Sequence, residues 1–188
     1  MLYRTLGDSG LRVSTVSLGS WLTIGNVVGQ DATDALVGRA LDLGINLLDT
    51  ADVYNRGEGE RALAGALRGR RRQNLVLASK CYFPMSDDVN DRGLSRKHIH
   101  ESVDQSLARL GTDYLDLYQC HRPDPDVPLR ETVMAMDDLI RRGKVLYWGV
   151  SEWPADRIVE AVQLARANGW HAPISNQPKY NLFDRGIE

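Results

Sequence analysis

Several short segments of this 188-residue sequence run straight into an ionisable or polar residue. They are Asp49 in Leu47-Leu48-Asp49-Thr50-Ala51-Asp52-Val53-Tyr54, Lys80 in Leu77-Ala78-Ser79-Lys80, His121 in Tyr118-Gln119-Cys120-His121, Ser151 in Gly149-Val150-Ser151, and Gln177 in Ser175-Asn176-Gln177. Each alone has an ordinary structural use: Asp49 can cap a turn, Tyr54 can be loop surface, Lys80 a solvated strand end, and His121 can bond a backbone carbonyl. Together they form a set able to reduce a carbonyl group. Hydride delivery to an aldehyde or ketone leaves an alkoxide that needs a proton, and a tyrosine hydroxyl is a poor donor and a poor base at neutral pH. An ammonium about 4 Å away corrects this, being worth roughly 4 kcal/mol, or about three pKa units, at an effective dielectric near 20. In this set Lys80 is expected to act so on Tyr54, Asp49 to keep Lys80 charged, and His121 to orient the carbonyl and stabilise developing negative charge.

Metal chemistry at His121 fails on ligand count. Cys81 and Cys120 flank Lys80 and His121 but project to the opposite face of a regular strand. His98 and His100, two apart in a helical pattern, share no face and are read as ordinary helix residues.

The elements that must position these groups alternate. Leu2 to Leu6 and Leu11 to Val13 flank Gly7-Asp8-Ser9-Gly10 and predict a hairpin. Strands are predicted at Thr15 to Leu18, Ile45 to Leu48, Leu75 to Ala78, Tyr114 to Tyr118, Val145 to Val150 and Pro173 to Asn176. Between them, apolar residues recur at helical spacing: Ala32, Leu36, Ala40, Leu43; Leu63, Leu67; Ile99, Val103, Leu107, Leu110; Val133, Met136, Ile140; Ile158, Val162, Ala165. Pro128 and Pro154 fit first helical turns, and Gly44, Gly111, Gly143 and Gly169 fit positions just past helix ends. Strand and helix in alternation imply an α/β fold with parallel strands and helical crossovers. No GxGxxG follows the first strand, which weakens an open dinucleotide-binding sheet. In a parallel barrel the carboxyl ends of the strands form one face, where the residues singled out above would gather.

Composition fits a soluble globular chain: 43% hydrophobic, 26% charged, net charge −2. That balance gives no global attraction to nucleic acid or an anionic membrane, and the basic run Arg68 to Arg72 is read as a solvated helix-to-strand corner. No apolar run approaches the roughly 18 to 20 residues of a membrane span, and nothing resembles a secretory leader. A reducing cytoplasm with two unpaired thiols is the expected setting.

The residues then carry a resemblance. Met1-Leu2-Tyr3-Arg4-Thr5-Leu6-Gly7-Asp8-Ser9-Gly10-Leu11-Arg12-Val13-Ser14, Gly44-Ile45-Asn46-Leu47-Leu48-Asp49-Thr50-Ala51, Gly93-Leu94-Ser95-Arg96-Lys97-His98-Ile99, His121-Arg122-Pro123-Asp124-Pro125 and Tyr147-Trp148-Gly149-Val150-Ser151-Glu152-Trp153 resemble the aldo-keto reductases. Within that family they are similar to the branch containing the voltage-gated potassium channel beta subunits and their plant and bacterial relatives. The resemblance implies a TIM-type (β/α)8 barrel with an N-terminal β-hairpin at its floor, and NADP(H) extended across the rim. It maps the catalytic tetrad to Asp49, Tyr54, Lys80 and His121, and the cofactor contacts to Ser20, Trp21, Asp49, Ser151, Glu152 and Gln177. In that mapping Ser151 and Gln177 hold the nicotinamide carboxamide. It further implies a small carbonyl substrate and a possible homotetramer.

Two departures bear on function. Animal channel beta subunits carry asparagine where His121 stands, so the histidine favours a working reductase over a channel sensor. Glu152 replaces the asparagine or arginine usual beside the serine. Six strands can be counted across a single domain, whereas an eight-stranded barrel takes about 250 residues, so about six of eight units are expected here. The alternatives are a cofactor-binding regulatory subunit of a potassium channel, or an inactive fragment of a longer reductase.

Overall fold

The computed structural model describes residues 1–188. An antiparallel hairpin, β1 (Tyr3–Thr5) and β2 (Arg12–Ser14), precedes a six-stranded parallel sheet. Its strands are β3 (Leu18–Gly19), β4 (Leu47–Asp49), β5 (Val76–Cys81), β6 (Leu115–Cys120), β7 (Val145–Ser151) and β8 (Asn176–Gln177). Five helices make the crossovers in turn: α1 (Gln30–Asp42), α2 (Glu58–Ala66), α3 (Arg96–Leu110), α4 (Leu129–Arg141) and α5 (Ala155–Asn168). Strand order follows chain order without reversal, each helix packs beside the one before, and the sheet curls into a half-barrel. A doubly wound sheet would reverse at a switch point, so the order decides for barrel geometry.

The main correction concerns where strands end. β4, β5, β7 and β8 run past their apolar stretches to take in Asp49, Lys80, Ser151 and Gln177, which were expected just beyond them. The ladder bonds of a parallel sheet are backbone bonds, and they continue wherever a neighbour offers a carbonyl: Thr50 N–H donates to Ala78 (2.9 Å) and His121 N–H to Cys81 (3.0 Å). Hydrophobicity marks only the part of a strand that faces apolar neighbours. At the other end, the expected Thr15 to Leu18 and Pro173 to Asn176 shrink to two-residue strands at the sheet's edges.

Helix ends follow local chemistry. Ser95 caps α3 by accepting the His98 N–H, and Gly111 and Gly169 close α3 and α5 in the left-handed conformation. Gly44 and Gly143 follow the C-caps of α1 and α4, also at positive φ. Pro128 and Pro154 stand at the N-caps of α4 and α5 rather than inside the first turn.

The apolar core lies between the outer face of the sheet and the helices. Leu48, Leu77, Tyr118, Cys120, Trp148 and Val150 from the strands pack with Leu63, Val103, Val133, Met136 and Ala161 from the helices. Alternation along β5 and β6 therefore turns Cys81 and Cys120 outward, as expected, and leaves the opposite face to Lys80 and Gln119. The hairpin closes the amino ends of the strands. Asn46, just before β4, accepts the Ser14 N–H at 2.7 Å and donates to Arg12 O at 3.0 Å. Gly7, at φ +57°, passes so close to Ile174 that a Cβ would stand 1.9 Å from that residue's carbonyl oxygen.

Two charged pairs are buried in this helix-facing layer. Arg72, from the basic run, is no solvated corner: it pairs with Asp116 at 2.7 Å, donates to Leu75 O and Tyr114 O, and stacks on the Tyr114 ring. Glu60 on α2 is fully buried and accepts from Arg109 Nε of α3 and Ser79 Oγ of β5, both at 2.6 Å. The arginine crosses over Gly57, where a Cβ would stand 2.6 Å from Arg109 Cδ. We predict that Arg109→Leu, which strands the Glu60 carboxylate without its cation, lowers unfolding free energy by about 3–5 kcal/mol in urea titrations. A loss below about 1 kcal/mol, the size of a surface pair, would mean that this ion pair does not hold α2 to α3.

Candidate active site

The carboxyl ends of the strands open onto a cleft of about 770 Å³. Asp49, Tyr54 and His121 line it, and Lys80, 1% exposed, lies against them without reaching its surface. Register explains the meeting. Asp49 pairs with Ala78 across β4 and β5, so Lys80 follows two residues on along the same face; Lys80 pairs with Gln119, and His121 follows two residues beyond that. Tyr54 arrives from the opposite side of the chain path, on a short 3₁₀ turn (Tyr54–Gly57) in which Asn55 and Arg56 adopt positive φ.

The Lys80 ammonium uses its three donors on three oxygens: Asp49 Oδ2 at 2.7 Å, Thr50 O at 2.8 Å and the Tyr54 hydroxyl at 3.3 Å. A buried cation without such partners would cost several kcal/mol. His121 meets Tyr54 and Phe83 edge-on, with ring centroids 5.7 and 4.9 Å apart. Burial, then the Lys80 and Arg122 cations, push its pKa down to about 3, so the imidazole is neutral at physiological pH. Its Nδ1 is buried with no partner in the chain, so the tautomer protonated at Nε2, which is an assignment from geometry, would present its donor to the cleft.

The six cofactor candidates Ser20, Trp21, Asp49, Ser151, Glu152 and Gln177 all line this cleft. Their roles differ. Ser20 turns inward and donates to Thr50 Oγ1 at 2.8 Å, Trp21 is 65% exposed on the rim, and Ser151 Oγ donates to Gln177 O at 3.0 Å. Gln177 Nε2 reaches Asp49 Oδ1 at 3.4 Å while its amide oxygen is free, and a Cβ built on Gly19 would meet nothing within 4 Å. Open space beside Gly19, an exposed indole and a serine next to a glutamine with a spare acceptor fit a nicotinamide and its carboxamide. Glu152 holds a left-handed backbone (φ +56°), and its carboxylate takes the Lys179 N–H at 2.6 Å.

Phe83, Arg122, Thr50 and Lys179 also belong to this neighbourhood and were not singled out from sequence. Thr50 acts through its carbonyl, which no side-chain pattern reveals. Phe83 and Arg122 lie two residues past the observed ends of β5 and β6, but five and four residues past the strand ends expected from sequence, too far for that signal to reach them. Cys81 and Cys120, distant in sequence, stand opposite each other across β5 and β6; both are free, and burial holds both thiols well above the ordinary range.

The half-barrel order, the floor hairpin and a buried Lys–Asp–Tyr cluster at the carboxyl rim define a class, and comparison with known sequences agrees. The sequence profile of the Aldo/keto reductase family matches residues 15–188, and the chain belongs to that family. It is 45% identical over 187 residues to a probable voltage-gated potassium channel subunit beta of Oryza sativa subsp. japonica, covering 98% of this chain and 57% of that one. A counterpart bearing the same name in Arabidopsis thaliana is 43% identical over 187 residues, again 98% of this chain and 57% of that one. A putative voltage-gated potassium channel subunit beta of Schizosaccharomyces pombe is 45% identical over 188 residues, 97% of this chain and 54% of that one. The chain thus spans little more than half the length of these relatives.

Below the cleft, Asp52 is fully buried, taking the Val53 N–H at 2.6 Å and the Ser102 hydroxyl at 2.8 Å. Burial raises its carboxyl to about 7, against the lowering effect of the Ser102 hydrogen bond. Between an unfolded value near 4 and this folded value, the native protein keeps a proton that the unfolded chain has lost, so stability falls as pH rises through that window. Asp52→Asn carries the protonated group's hydrogen bonds at every pH. We predict that its stability advantage over the wild type grows between about pH 4 and 7, reaches a few kcal/mol, and is flat above, as measured by denaturant unfolding across pH. An advantage constant with pH would show that the carboxyl does not titrate there.

Proposed function

We propose that the chain is the catalytic part of an NADP(H)-dependent reductase that converts aldehydes or ketones to alcohols. The observation that carries this is the Lys80 ammonium, buried and hydrogen-bonded at once to the Asp49 carboxylate and the Tyr54 hydroxyl at the wall of the cleft. When bound, NADPH supplies the hydride. Ser151 and Gln177 would hold its carboxamide, Trp21 and Glu152 would flank it, and Ser20 would act through Thr50. The substrate carbonyl oxygen lies between the Tyr54 hydroxyl and His121. As negative charge grows on that oxygen, Tyr54 gives it the phenolic proton, and the Lys80 ammonium, donating to the phenol oxygen, stabilises the charge left behind. Asp49 keeps the ammonium in place and offsets its burial. The neutral His121 ring donates a hydrogen bond to the same carbonyl oxygen and fixes which face of the carbonyl meets the hydride.

A second function is favoured by the names of the matched relatives, which are potassium channel beta subunits. On that proposal the chain is part of a cofactor-binding subunit that assembles as a ring on a channel's cytoplasmic face. No helix of the chain is long and apolar enough to cross a membrane, so contact with the bilayer would come through such a partner. Recovery of a channel polypeptide with the protein from its source cell would support this; recovery without one would count against it.

Tyr54→Phe keeps the ring and removes the proton. Its kcat for a reducible aldehyde should fall by about 10²- to 10⁴-fold, while NADPH still raises the melting temperature as it does for the wild type, because binding to the native state alone stabilises it. Undiminished turnover by the variant would overturn the reductase assignment. A larger melting shift with NADH than with NADPH would overturn the cofactor assignment.

A further inference from the structure

Arg122 is the one cation at the cleft without a carboxylate partner. Asp49 is matched by Lys80, the Lys179 ammonium by Asp184 at 3.0 Å, and the Glu152 carboxylate is held by a backbone N–H. Arg122 lines the cleft and pairs with no carboxylate of the chain. Its Nη1 donates to His121 O at 2.6 Å and approaches Ser151 Oγ at 3.5 Å, which fixes the guanidinium plane but leaves Nε and Nη2 without partners. Its guanidinium carbon Cζ lies 5.6 Å from the centre of the Phe83 ring, and that ring's centre lies 4.9 Å from that of His121. One wall of the cleft therefore runs from the proton donor, across an aromatic surface, to a half-buried cation whose outer edge is unsatisfied.

We propose that Arg122 is a specificity residue that selects carbonyl substrates bearing a carboxylate. This rests on the reduction proposed above. The substrate is an oxo acid: its carbonyl reaches Tyr54 and His121, its short carbon spacer covers Phe83, and its carboxylate meets the free edge of the guanidinium in the planar, two-bond geometry that arginine matches. The anion it meets is the substrate's and not the cofactor's. Its Nη1 contact places Arg122 beside Ser151, which is assigned to the uncharged carboxamide end of the nicotinamide, away from any phosphate. A neutral aldehyde would leave the guanidinium edge desolvated and unpaired, so discrimination arises from that cost as well as from the attraction.

The test compares 4-carboxybenzaldehyde with its methyl ester, which share ring and aldehyde and differ in charge. The wild type should prefer the acid in kcat/KM, and Arg122→Gln, which keeps an amide donor for His121 O and Ser151 but removes the charge, should reduce the acid-to-ester ratio by about tenfold or more, the size of a charge-assisted hydrogen bond. Arg122→Lys should recover part of that ratio. If acid and ester lose activity together, Arg122 only positions its neighbours and the proposal is overturned. Calorimetric titration of 4-carboxybenzaldehyde into the protein saturated with NADP⁺, which has no hydride to give, separates this from the reductase assignment. Turnover of neither compound with charge-dependent binding lost in Arg122→Gln would leave the carboxylate contact standing and the reduction refuted. Binding indifferent to Arg122 would overturn the contact whatever the turnover.

Discussion

A cation with 1% of its surface exposed is the constraint on which this structure turns. Lys80 can remain charged among strands only if each of its three N–H groups finds an oxygen, and the fold delivers one from a carboxylate, one from a backbone carbonyl and one from a phenol. Asp49 and Thr50 come from the end of the neighbouring strand, so they are fixed by sheet register. Tyr54 comes from a turn, and its hydroxyl makes the longest of the three bonds. That ordering suits a proton donor. The two rigid partners hold the ammonium, and on the proposed reaction the proton to be transferred sits on the partner that is least tightly bound.

The turn is held by a second layer of buried charge on the other side of the sheet. Ser79, whose side chain faces away from the cleft, is the immediate neighbour of Lys80 and donates to Glu60; Glu60 opens the helix that follows Tyr54 and is gripped by Arg109. The path from Lys80 to Tyr54 thus closes twice, once through the direct bond in the cleft and once through Ser79, Glu60 and the 3₁₀ turn. Gly57 is required by this second closure, since its left-handed backbone and missing Cβ make room for the arginine. Asp52 with Ser102 and Tyr118 extends the same layer beneath the turn. Strain collects above it. The four non-glycine residues at positive φ, Leu22, Asn55, Arg56 and Glu152, all belong to the cleft's rim or the turn beside it, which is where strain of order 1 kcal/mol or more per residue is tolerated when surrounding structure fixes the backbone.

What could be seen in the sequence follows from which interactions leave a pattern. Alternation of apolar strands with helical spacing exposed the α/β class, and ionisable residues recurring at strand ends exposed Asp49, Lys80 and His121 as one group, because the carboxyl ends of parallel strands must share a face. The strand ends themselves were misjudged, since Asp49, Lys80, Ser151 and Gln177 are held in the ladder by backbone bonds that carry no hydrophobic signature. Arg72 was misjudged for a related reason. A basic run looks solvated until the chain brings Asp116 and two carbonyls to one member of it. Cys81 and Cys120 illustrate pure topology: 39 residues apart by subtraction of their numbers, they are partners across β5 and β6 only because the intervening helix returns the chain in parallel. Arg122 appeared in the sequence as part of a resemblance, and its chemical interest emerges only once the carboxylates near it are seen to be paired elsewhere.

The division of labour between strands follows from the same topology. The residues assigned to proton handling come from β4, β5, the end of β6 and the turn after β4, in the middle of the sheet, where each strand is paired on both sides. The residues assigned to the cofactor come mostly from the flanks: Ser20 and Trp21 follow β3, Ser151 ends β7 with Glu152 just after it, and Gln177 lies on β8. On the proposed reaction a 3.3 Å contact between ammonium and phenol cannot tolerate a drift of an ångström, and Asp49 and Lys80 meet that demand because both sit on strands paired on either side.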